Sequence, residues 1–221
     1  LILSKIQLGI VYLGDLDAGA ASSQDTSINW LVGSPYWLTL DEYGIGNGAV
    51  VGSVRVPTTT FFQPGDVDAN GLVDIMTLQI RLTSALHGDA DAGTAATISL
   101  PGADSYLVYL PDGLNVALGH NGTYTFQTCI DANGYHANDG QEPYAVLPPC
   151  TLGRTLYAAA HELVEMATDP HPYDGWVSDS EISKNGGEIA DICAEQTFVY
   201  GVWLTQFWSN QTAGCIPVTG K

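Results

Sequence analysis

Positive charge is scarce in this chain. Six lysines and arginines stand against 24 aspartates and glutamates in 221 residues, a net charge of -18 at pH 7. With so few cations to displace the counterions of a phosphate backbone, nucleic-acid binding is excluded. The same shortage excludes the basic amphipathic surfaces that hold proteins on anionic membranes. Long apolar runs are lacking too, and none reaches the ~18 residues of a membrane span. Cysteine is sparse: four residues, with no Cys-x-x-Cys pair, so a cysteine zinc site is not expected. Leu1 to Leu13 reads as a strand rather than a leader. Any signal peptide is therefore expected to have been removed or left out.

What is present is ample apolar material, 45% of residues, enough for one good core. The expectation is a monomeric single domain over 1–221, with a sheet-and-helix half (1–150) and a half holding the motif helix and disulfide-braced loops (151–221). Four cysteines permit three pairings. Cys129–Cys150 and Cys193–Cys215 are predicted, because each closes a loop of about twenty residues and stabilises by roughly 3 kcal/mol. Asn121-Gly122-Thr123 and Asn210-Gln211-Thr212 read as glycosylation acceptors. Even cysteines, sequons and acidity together predict a secreted, extracellular glycoprotein.

Strands are expected at Ile2 to Leu13, Ala49 to Val56, Ser105 to Leu110, Tyr124 to Thr128 and Tyr144 to Leu147, with strand-like sequence from Phe198 to Phe207. Two short helical pieces are expected over Thr26 to Tyr43, broken at Gly33-Ser34-Pro35. Gly71 to Leu86 reads as a helix with Leu78, Leu82 and Leu86 on one face. Arg154 to Thr168 reads as a buried helix stopped by Pro170. Interleaved strands and helices predict an α/β or α+β fold around a central sheet.

That last helix carries His161-Glu162-Leu163-Val164-Glu165, close to the zincin motif His-Glu-x-x-His. A four-residue step is about one turn, so His161 and Glu165 share a face and can grip one ion. Glu162 stands where a zincin places its general base. Burying a histidine and two glutamates in so apolar a helix is costly unless they pair or bind a cation. Glu188 and Asp191 lie three apart in an otherwise apolar stretch. They are candidates for the third ligand and for a carboxylate behind the histidine, in either order, with a cap or turn as the structural alternative. His136, in a loop between Cys129 and Cys150, is a candidate ligand or proton donor. Asp169 is expected to turn the chain before Pro170. His87, His120 and His171 are expected to be solvated.

These residues also carry a resemblance. His161 to Glu165, Asp169-Pro170, Gly175-Trp176 and Glu188 to Cys193 resemble a group of secreted bacterial and fungal His-Glu-x-x-Glu proteins. They are similar in part to the plant exordium-like (phosphate-induced) family. Weaker echoes are Tyr43-Gly44-Ile45-Gly46, Tyr109-Leu110-Pro111, Gly134-Tyr135-His136 and Trp208-Ser209-Asn210. The resemblance implies a secreted protein with a zincin-like site.

A second cation signal is Asp66-Val67-Asp68-Ala69-Asn70-Gly71, which follows a calcium-loop pattern. The loop's twelfth position holds Thr77 instead of an acid, so Asp66, Asp68 and Asn70 are expected to be mainly structural. Two functions follow. One is a secreted zincin-like metallohydrolase using zinc or another divalent cation on a peptide substrate. The other is a non-catalytic extracellular protein with a structural metal that binds cell-wall polysaccharide through exposed Trp and Tyr.

Overall fold

The computed structural model describes residues 2–15, 17–88, 94–120, 123–151, 155–171, 174–178, 186–193 and 195–217. The main sheet contains β1 (Gln7–Leu13), β2 (Ala49–Val56), β4 (Ser105–Tyr109), β7 (Tyr135–Asn138) and β8 (Pro143–Leu147). A smaller sheet joins β3 (Leu72–Asp74), β5 (Asn115–His120) and β6 (Thr123–Gln127). Two hairpins follow: β9 (Gln196–Val199) with β10 (Val202–Thr205), and β11 (Phe207–Ser209) with β12 (Gly214–Ile216). The helices are α1 (Ala18–Gly33), α2 (Pro35–Leu38), α3 (Thr58–Phe61), α4 (Ile75–His87), α5 (Leu156–Thr168) and α6 (Ile189–Cys193).

The five-stranded sheet runs β2-β1-β4-β8-β7, with β7 alone antiparallel at its edge. Its inner strands β1, β4 and β8 are nearly continuous apolar runs because both faces are covered, whereas the edge strand β2 is partly exposed. Leu8, Ile10, Tyr12, Leu107, Tyr109, Ala145 and Leu147 pack with α1 and α5. The alternate residues Val11, Leu13, Tyr106, Val108, Tyr144 and Val146 pack with α4 and the smaller sheet. This two-residue alternation is the strand period at work. The fold is thus mixed α/β around a central sheet. Its second half is braced by Cys129–Cys150 and Cys193–Cys215, the pairing expected from the sequence. Two disulfides suit an oxidising compartment. Among the described residues no helix is long and apolar enough to cross a membrane.

Several boundaries differ from expectation. The first strand starts only at Gln7, because Leu3 instead donates its N–H to Ala167 O at the end of α5. α1 starts earlier than Thr26: the Asp17 carboxylate accepts from the N–H groups of Gly19 and Ala20 and nucleates it. The break at Ser34-Pro35 is real, since Ser34 caps α2 and Pro35 opens it. Leu72–Asp74 is strand rather than helix, because it pairs with Asn115–Ala117. α4 begins only after Asp74, whose carboxylate caps it. Phe198 to Phe207 is not one strand but a hairpin running into a third strand. Arg154 and the first sequon's Asn121 and Gly122 lie outside the described residues. The second sequon's Asn210 is exposed just after β11.

In the Asp66–Asn70 turn every carboxylate has protein partners. Asp66 forms a two-pronged ion pair with Arg81, at 2.7 and 2.9 Å. Asp68 accepts from the N–H groups of Asn70 and Leu72 and from Tyr124 OH. The Arg81 guanidinium holds the Asp66 carboxyl below its ordinary value. A depressed carboxylate stabilises the fold above that ordinary value, near 3.9, and the contribution disappears as pH falls through the lower folded value. Asp66→Asn is therefore expected to cost about 1 kcal/mol at pH 7, the upper end for a partly exposed but bidentate pair. The deficit should close as pH drops below ~4. Melting curves across pH check this, and a deficit that stays constant into acid would contradict it.

Candidate metal centre

Helix α5 is buried almost all round, so its polar residues must find partners inside the protein. Thr155 caps its start, accepting from Ala158 N–H. Ala158, Ala159 and Ala160 let the helix lie close on the sheet. At its end Asp169 turns the chain, as expected, accepting from Gly175 N–H at 2.7 Å and Asp174 N–H at 3.2 Å. Gly175 is required there: a Cβ would lie 2.3 Å from Thr168 O. This reversal sends the chain back toward Gly186, Gly187 and α6.

His136 is not in a loop. It stands on β7, directly opposite Ala145 of β8. Residues opposite one another share a face, so His136 points to the α5 side. Its Nδ1 lies 3.7 Å from Glu165 Oε2 and 4.0 Å from Glu162 Oε2, and its Nε2 3.1 Å from Glu188 Oε1. His161 Nε2 lies 3.2 Å from both Glu165 Oε1 and Asp191 Oδ1. Asp191 also donates its backbone N–H to Glu165 Oε1 at 3.1 Å, tying α6 to α5. All six residues singled out in the sequence, His136, His161, Glu162, Glu165, Glu188 and Asp191, line one cleft of about 290 Å³. Asp66, Asp68 and Asn70 stand elsewhere. His87 does too, and it is not simply solvated: α4 ends against the β7–β8 turn, so its Nε2 meets Asp139 at 2.8 Å and Glu142 at 3.2 Å.

The electrostatics follow from four carboxylates facing two imidazoles. Burial pushes Glu162 up to about 8, against the pull of His161 and His136. Burial opposes ionisation of Glu165 as well, but His161 and then His136 outweigh it and hold it below the ordinary range. Burial lifts Glu188 and Asp191. Burial alone would lower His136, yet Glu188, Glu165 and Glu162 push it to about 9. His161 rises for the same reason, with Glu165 and Asp191 foremost. The cluster therefore attracts positive charge, whether as protons on the histidines or as a cation.

Two contributors left little trace in the sequence. Gly134 lets Glu162 in: a Cβ there would sit 2.8 Å from Glu162 Cγ and 3.0 Å from Val146 O. Only its place beside Tyr135-His136 hinted at a role. Thr205 of β10 lies 3.4 Å from His161 Nδ1 and donates its hydroxyl to Gln206 O at 3.0 Å. Its oxygen thus faces Nδ1 as an acceptor, which places the imidazole proton there and frees Nε2 for a cation. No motif marks it. Thr205→Val is expected to weaken divalent-ion binding ~10-fold while preserving the fold, as outer partners of metal ligands typically do. Calorimetric titration checks this, and unchanged affinity would remove Thr205 from the centre.

In open α/β sheets the usual ligand crevice lies at the carboxyl ends of the strands where the order reverses. Here that crevice, between Tyr12, Asp15, Tyr109 and Asp112, encloses about 30 Å³, room for little more than water. The chemistry-bearing residues have gathered instead at the β7–β8 edge under α5. Among known proteins, no family model and no curated protein matches the chain.

Proposed function

We propose that the chain is a secreted, zincin-like metallohydrolase that cleaves peptides. One observation carries the reading. His161, Glu165 and Asp191 each offer a ligand atom within 4.8 Å of the others, and the buried Glu162 stands next to them. Three protein ligands with one open position are what catalytic zinc uses. A divalent cation held by these residues would act as a Lewis acid and would lower the pKa of bound water toward about 7. Glu162 takes the proton from attacking water and returns it to the leaving amine. The set is rich in hard oxygen donors, so manganese or calcium fits it as well as zinc. Acidity and the two disulfides support action outside the cell. Metal analysis of purified protein, with a panel of peptide, ester and glycoside substrates, tests the reading. A protein that holds no divalent ion and cleaves nothing ends it.

A second reading has its own observation. Phe198 and Trp203 face each other across the β9–β10 hairpin with ring centroids 5.3 Å apart, each more than half exposed. Such a platform suits stacking on polysaccharide. If the ion proves structural and closed to water, quenching of tryptophan fluorescence by cell-wall polysaccharide, lost in Trp203→Ala, identifies a binding protein.

A further inference from the structure

We propose that the centre holds two divalent cations, with the Glu165 carboxylate bridging them. The inference rests on the cation already assigned to His161, Glu165 and Asp191 and adds a second at His136, Glu165 and Glu188. These two triads each gather one ligand atom per residue within 4.8 Å. Among the described residues, no such group contains both histidines. Ligands of a single zinc-like ion lie about 2.0–2.3 Å from it, so no two of them are more than ~4.6 Å apart. One ion therefore does not serve both imidazoles as they stand.

Glu165 is built to be shared. Its Oε1 faces His161 Nε2 at 3.2 Å and its Oε2 faces His136 Nδ1 at 3.7 Å. One oxygen thus looks toward each triad. Paired catalytic ions ~3.5–4 Å apart are commonly joined in this way.

The second triad also has unmet bonding capacity. The His136 side chain is only 5% exposed, and its Nε2 is buried with no hydrogen-bond partner, as is Glu188 Oε1. The two atoms lie 3.1 Å apart, an ion pair when His136 is protonated, without forming a hydrogen bond. Buried polar atoms are seldom left so, and an ion is one explanation for them.

Metal-depleted protein is titrated with Mn²⁺ and its content measured after desalting. Two ions per chain are expected, with an exchange-coupled paramagnetic spectrum instead of the six lines of isolated Mn²⁺. Glu188→Gln and His136→Gln should each halve the stoichiometry to one and restore the six-line signal, while circular dichroism reports that the fold is kept. Glu165→Gln should lose both ions. The wild-type spectrum needs no variant, so misfolding cannot hide the answer. One uncoupled ion that survives His136→Gln overturns the second site and leaves the first reading standing. One ion lost in His136→Gln but kept in His161→Gln overturns both, since the sole ion would then sit in the other triad. No ion at all likewise ends both.

Discussion

Glu162→Gln is expected to abolish hydrolysis while sparing the metal and the fold. The amide matches the carboxylate in shape but cannot take a proton from water. A positioned general base contributes ~10²–10⁴-fold in rate, so kcat should fall by that factor, equivalent to about 3–5 kcal/mol of barrier. KM and metal stoichiometry should hardly move. Stability should hold or rise, because Glu162 is 6% exposed and a neutral amide is cheaper to bury than a carboxylate. The substitution adds no bulk, which matters because Gly134 leaves no spare room around the side chain. Gly134→Ala is the natural companion. It should also depress kcat, but with some loss of stability, since the new methyl would press on Val146 O as well as on Glu162. If Glu162→Gln instead loses the ion, Glu162 is a ligand and the base must be sought elsewhere.

The residues of the centre were readable in the sequence, but their grouping was not. His161 and Glu165 share a helix face through a local rule, one turn of rise. Glu188 and Asp191 stood out because carboxylates in an apolar stretch require a partner. That Asp191 faces His161 while Glu188 faces His136 depends on how α6 meets α5 and β7, and no local pattern encodes it. His136 reads as loop in the sequence because Tyr135–Asn138 is a short edge strand whose conformation is dictated by pairing with β8. Leu72–Asp74 reads as helix for a like reason, its strand partner lying over forty residues away at Asn115–Ala117. The central strands gave no such trouble, since their apolar runs announce burial on both faces. Thr205 carries no signal at all: its role exists only where the β9–β10 hairpin lands on α5.

Removing the cation is expected to loosen one region more than the rest. α6 spans five residues, Ile189–Cys193, too short to persist by itself in water. It is tied by the Cys193–Cys215 disulfide, the Asp191 N–H bond to Glu165, the contact of Asp191 with His161, and packing of Ile189 and Ala190 in the α5-side core. A cation shared by α5 and α6 adds a further tie. Ligand at 100 times its Kd stabilises a fold by ~2.7 kcal/mol, and in a chain of this length each kcal/mol shifts Tm by ~2–4 °C. Chelation should therefore lower Tm by roughly 5–10 °C, and His161→Ala should lower Tm in the same direction and respond less to chelator than the unaltered protein. Amide exchange should rise over 186–193 and at the α5 residues facing them. The central strands β1 and β4, clamped between two cores to which α6 contributes only Ile189 and Ala190, should keep their protection. Uniform loss of protection would mean that the ion supports the whole fold. A Tm and exchange pattern indifferent to chelator would mean that α6 is held by its disulfide and packing alone.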